Sequence, residues 1–167
     1  MSDNAIANLS ARILETEIKS RMSGGLDMNV GDWTYQEVTI AQGASPTRLI
    51  ADTTDFINST NNAADGDTLL WIAIKHTGTT NGTNVTQESI MIGYDTANPT
   101  YNGADSASTN GMLVEPNELF IFKPLRTDIE DVTAITVGGI ASHKTGDVAQ
   151  GTSTVKVIVA AKIYDGD

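Results

Sequence analysis

The side chains able to do chemistry are few and scattered. The 167-residue chain has two histidines, His76 and His143, and no cysteine. His76 ends an apolar run and His143 sits in a polar stretch. Neither has a neighbour at the spacing of a metal-ligand set, so each reads as a satisfied or solvent-facing histidine. Disulfide and thiolate chemistry are excluded outright. Hydroxyls are plentiful, but no serine stands in a nucleophile-elbow pattern and no motif pairs one with a histidine. Carboxylates cluster at Asp52-Thr53-Thr54-Asp55, Asp65-Gly66-Asp67 and Asp165-Gly166-Asp167. Each could offer oxygens to a calcium ion, yet none follows the alternating ligand pattern of a calcium loop closed by Glu, and Asp-Gly is ordinary turn chemistry. A carboxylate pair for glycoside hydrolysis is defined by a separation in space. Clefts of that kind also display aromatic platforms, and aromatics make up 5% of the chain. No catalytic, cofactor or metal residue is assigned, and the chain is expected not to be an enzyme.

Charge narrows the partners. Twenty-one acidic and 10 basic residues leave a net of −11, which repels phosphate backbones and anionic lipid, and no basic stripe offsets it. Direct nucleic-acid binding is not expected. No apolar run approaches the roughly 18 residues of a membrane span. The opening Met1-Ser2-Asp3-Asn4 lacks the basic region of a secretory signal. The expectation is a chain made in the cytoplasm without a membrane partner. Four Asn-x-Ser/Thr matches, at Asn8, Asn58, Asn81 and Asn84, carry no weight without such a signal.

The elements that must position these groups are mostly strands. Thr68 to His76 is the organising stretch, bracketed by Asp65-Gly66-Asp67 and Thr77-Gly78. Alternation puts Leu69, Trp71 and Ala73 on one face and Leu70, Ile72 and Ile74 on the other, so a strand buried on both sides is expected. Further strands are expected at Trp33 to Ile40, Glu88 to Tyr94, Met112 to Val114, Glu118 to Lys123, Asp131 to Val137 and Ser153 to Tyr164, with short apolar pieces at Leu49-Ile50 and Phe56-Ile57. Pro116-Asn117 reads as a turn. About eight short strands without intervening helices indicate an antiparallel sandwich or barrel.

Residues 3–22 differ in texture. Ile6, Leu9, Ile13, Leu14, Ile18 and Met22 recur at the spacing of one helical face, with Ser2 or Asp3 as a cap and Gly24-Gly25 as a stop. Three readings stand: a helix packed on its own domain, a helical arm docking on a neighbour through those six residues, or an extended arm, since Glu15 to Met22 also alternates. The expected organisation is an N-terminal amphipathic helix or arm over 1–25 and a β-sandwich over 26–167.

Val114-Glu115-Pro116-Asn117-Glu118-Leu119-Phe120-Ile121-Phe122-Lys123-Pro124-Leu125 is followed by Asp131 to Thr136, and the chain closes with Gly151 to Ala161. This succession of turn, aromatic strand, apolar strand and valine-rich strand resembles small β-sandwich virion proteins of tailed bacteriophages, the capsid decoration or cement proteins and related head and tail surface components. The resemblance spans residues 30–165 and is one of strands and turns. It implies a jelly-roll-like sandwich, often a homotrimer, bound to the major capsid protein on the outer surface of an assembled virion shell. It transfers no functional residues, because surfaces carry such a role. A carbohydrate- or receptor-binding sandwich is the alternative, with Trp33, Tyr94 and Tyr101 as its aromatic candidates. A sandwich enzyme would need convergent polar groups in a pocket.

Overall fold

The computed structural model describes residues 5–12, 21–28, 32–42, 46–51, 54, 62, 64, 66–94, 111–123, 128–138 and 151–164, those up to residue 32 by their backbone. The strands are β1 (Ala5–Arg12), β2 (Arg21–Met28), β3 (Asp32–Ile40), β4 (Thr47–Arg48), β5 (Thr68–His76), β6 (Ser89–Gly93), β7 (Met112–Val114), β8 (Leu119–Phe122), β9 (Thr133–Val137) and β10 (Val155–Tyr164). A 3-10 turn at Ile129–Asp131 precedes β9, and no α-helix occurs among the described residues. The chain divides into two units, Met1–Gly31 and Asp32–Asp167.

In the first unit β1 and β2 pair antiparallel, from Ala5 opposite Met28 to Arg12 opposite Arg21. Residues 5–12 and 21–22 are thus strand where two of the three readings expected helix, while residues 3–4 and 13–20 lie outside the described residues. Apolar residues three to four apart suit a helical face, but a short run of them also satisfies its backbone by pairing with a second strand. Gly24 and Gly25, expected to stop a helix, lie inside β2 opposite Leu9 and Asn8. Ile6 and Leu9, three apart, fall on opposite faces of a strand rather than on one stripe.

The second unit has two four-stranded antiparallel sheets, ordered β3-β10-β5-β8 and β4-β9-β6-β7. Both sheets contribute to one core. Val155, Val157, Val159, Ala161 and Ile163 line β10, Leu69, Ile72 and Ile74 come from β5, and Ile90 and Ile92 from β6, all buried together with Leu49, Ile50, Ile129 and Val132 from the connections. β10 and β5 are interior strands because each has a partner on both sides. Their side-chain alternation follows from the pleat, and removing such side chains from water is the main stabilising term, about 1.5–3 kcal/mol for each large one.

The face assignment on β5 needs one correction. Lys162 stands opposite Trp71, but Ile163 stands opposite Leu69, so one extra β5 residue is accommodated there. This bulge resets the alternation and puts Leu69 on the inner side with Ile72 and Ile74, leaving Trp71 and Ala73 outward. Sheet β4-β9-β6-β7 is buried on its other face too, where Met91, Ile135 and Val137 pack with Leu113. The expected turn at Pro116-Asn117 is present: Asn117 adopts φ 69° and Glu118 N–H donates to the Glu115 carbonyl at 3.0 Å, the geometry of a type II turn.

Candidate functional site

The densest polar arrangement lies where β5 ends and β6 begins. His76 is fully buried. Its Nδ1 accepts from the Gly78 N–H at 2.9 Å, so the ring proton sits on Nε2, which donates to the Glu88 carbonyl at 2.9 Å. Burial is the largest influence on this imidazole and pushes its pKa below the usual value; Lys75 acts the same way, while the Glu88 carbonyl and Glu118 oppose it. The Glu88 carboxylate faces the other way. Its Oε1 accepts from Thr152 N–H at 2.9 Å, Thr152 Oγ1 at 3.0 Å and Ser153 N–H at 3.2 Å, clamping the turn before β10. Histidine and carboxylate therefore meet through a backbone oxygen, not as a dyad, and among the described residues no hydroxyl donates to either imidazole nitrogen. Both ring nitrogens and both carboxylate oxygens are committed to holding chain segments together, the Glu88 Oε2 accepting from Ser153 N–H at 3.1 Å. The node is architectural.

The carboxylate candidates separate. Asp67 is buried; its Oδ2 accepts from Ala64 N–H at 2.9 Å and its carbonyl from Ile129 N–H at 3.0 Å. It ties the turn before β5 to the 3-10 turn before β9. Among the described residues no three His, Asp or Glu side chains gather at metal-binding distance. Asp52, Asp55, Asp65, Asp165, Asp167, His143 and Tyr101 lie outside the described residues, as do Ile13, Leu14 and Ile18; Ile6 and Leu9 are in β1 and Met22 in β2. Tyr94, partly exposed, packs against Phe122 with ring centroids 5.6 Å apart, and Phe120 lies 5.3 Å from Phe122. Trp33 belongs to β3, so the structure does not gather Trp33 and Tyr94 on one strand or one sheet edge.

What single-strand patterns do not reveal is the outward face of sheet β3-β10-β5-β8. Register places Tyr35, Ala160, Ala73 and Ile121 in one row across the four strands, and Glu37, Ile158, Lys75 and Leu119 in the next. A third row sets Trp33, Lys162 and Trp71 side by side. Lys162 and Trp71 are buried, and the Trp71 Nε1 finds no hydrogen-bond partner among the described residues. The second residue set of β10 (Lys156, Ile158, Ala160, Lys162) carries the sequence signal for this face, because two of its four members are apolar where the pleat points outward. No protein-family model, curated protein or solved structure matches this chain.

Proposed function

We propose that this chain is a non-enzymatic structural protein of a virion, a capsid decoration protein whose jelly-roll sandwich binds the outside of an assembled tailed-phage shell through the major capsid protein. The strand order is the observation that carries the reading. Counting β3 to β10 as eight strands, the first pairs with the last (β3 with β10), the second with the seventh (β4 with β9), the third with the sixth (β5 with β8) and the fourth with the fifth (β6 with β7). This pairing, with β10 then meeting β5 and β9 meeting β6, supports a ribbon rolled as in viral capsid and lectin jelly rolls. The commitment of His76, Glu88 and Asp67 to internal hydrogen bonds also supports a role carried by surfaces.

Co-sedimentation tests the reading. The full-length chain mixed with mature tailed-phage heads should pellet with them to a saturating ratio. It should also raise the temperature at which the heads release their DNA. A chain that stays in the supernatant at micromolar concentration overturns the reading; capture by a glycan array instead would favour the sugar-binding alternative.

A further inference from the structure

Asn81-Gly82 stands in the connection between β5 and β6, and both residues are exposed to solvent. An asparagine followed by glycine can react with its own backbone. The Gly82 nitrogen attacks the Asn81 Cγ, the bond from Cγ to Nδ2 breaks, and ammonia leaves with the proton that the Gly82 nitrogen gives up. Water then opens the succinimide at either carbonyl. One opening yields aspartate, the other isoaspartate with the backbone rerouted through the side chain. Glycine favours the attack because it has no Cβ to crowd the nitrogen.

The loop engages both reacting groups elsewhere. Asn81 Oδ1 accepts from Thr83 N–H at 3.1 Å and from Asn84 N–H at 2.9 Å. The Gly82 N–H donates to Thr79 Oγ1 at 3.0 Å. Thr77 Oγ1 gives its only proton to the Lys156 carbonyl at 2.7 Å, so in the 2.8 Å contact between Thr77 and Thr79 the Thr79 hydroxyl is the donor. Thr79 Oγ1 therefore keeps a lone pair for Gly82 and is anchored through Thr77 to β10. The Lys156 N–H on the Thr79 carbonyl at 3.0 Å and the bridge between Thr79 and Val85 fix the same residue. A deprotonated backbone nitrogen carries its lone pair where its N–H pointed, which at Gly82 is toward Thr79. The two donors on Oδ1 polarise the Asn81 amide toward attack, so the restraint falls on the nucleophile. We propose that Asn81 is a latent deamidation site guarded by the Thr79 hydroxyl, and that its modification records opening of this loop. Aspartate at position 81 still offers an oxygen to Thr83 and Asn84. Isoaspartate adds an atom to the backbone between Thr79 and Val85 and loosens the loop from β10.

The test is peptide mapping by mass spectrometry on the full chain held at neutral pH and physiological temperature, reading conversion of the Asn81 amide to a carboxyl. Because the loop must open first, the folded wild type should convert at least about tenfold more slowly than the same chain unfolded in urea. Thr79→Val keeps the branched shape but removes the hydroxyl. With one hydrogen bond lost, it should convert at least about threefold faster than the wild type under folding conditions. Thr79→Ser should restore the wild-type rate. Hydrogen exchange at the Gly82 amide gives a second readout that needs no variant: in the wild type it should be slow, and sub-denaturing urea should speed it in step with Asn81 conversion. Equal rates in the folded and unfolded chain, a folded valine variant no faster than the wild type, or an unprotected Gly82 amide would each overturn the proposal.

Discussion

His76 is neutral because both of its nitrogens are already committed. Adding a proton to Nδ1 would point an N–H at the Gly78 N–H, and burial already lowers the pKa. In the unfolded chain the same imidazole takes up its proton near pH 6.5. The unfolded state therefore binds the extra proton first, and the contribution of His76 is complete above about pH 6.5 and declines as pH falls below it. Urea midpoints should drop between pH 7 and pH 5 in the wild type. His76→Gln, which keeps a donor toward the Glu88 carbonyl, should show a shallower drop; parallel curves would remove His76 from the account. Gly78 offers a second residue-scale test. It adopts φ +74°, and a Cβ there would meet the Asn117 amide at 2.6 Å. Gly78→Ala should cost roughly 1–3 kcal/mol in chemical denaturation. Asn117→Gly removes the obstructing side chain and tolerates the φ of 69° at that turn position, so the double variant should recover part of the loss. Equal losses in both backgrounds would show that the contact is immaterial.

At the scale of elements, the core depends on side chains that β5 and β10 present to both sheets. Ile74 is fully buried opposite Val159, and Ile74→Ala should cost about 2–5 kcal/mol, read as a lowered unfolding midpoint with an unchanged denaturant slope. The strands of the sandwich were legible because alternation is imposed by the pleat and breakers such as Gly78 and Pro116-Asn117 stand between them. Side-chain facing was less legible. Whether Leu69 or Leu70 turns inward depends on the bulge opposite Lys162 and Ile163, which exists only once β10 is the partner. The same limit explains the first unit, where residues 5–12 satisfy a helical spacing yet pair with 21–28; a single strand of sequence does not display the strand it will meet. The strand-end position left His76 readable as either satisfied or solvent-facing; its burial and its partner, the Glu88 carbonyl twelve residues on, were not readable. A two-stranded hairpin is marginal alone in water, whereas residues 32–167 contain both halves of a shared core. Deleting residues 1–31 should therefore leave a cooperative unfolding transition and weaken attachment to any assembly. Loss of the transition would make the hairpin part of the folding unit.

For the whole molecule, the eight strands paired first with last and the net acidic charge support the proposed reading of a protein that acts through its exterior. The chain carries a net charge of −11, which opposes close approach of its copies. The inward groups with catalytic potential are used as ties between segments, and the carboxylates within the described core serve turns. The most direct measurement of the central claim is electron cryomicroscopy of mature tailed-phage heads incubated with the full-length chain and compared with untreated heads. The account predicts added density at symmetry-related sites on the outer surface, into which the two four-stranded sheets fit. Heads indistinguishable from untreated ones at saturating chain concentration would contradict it.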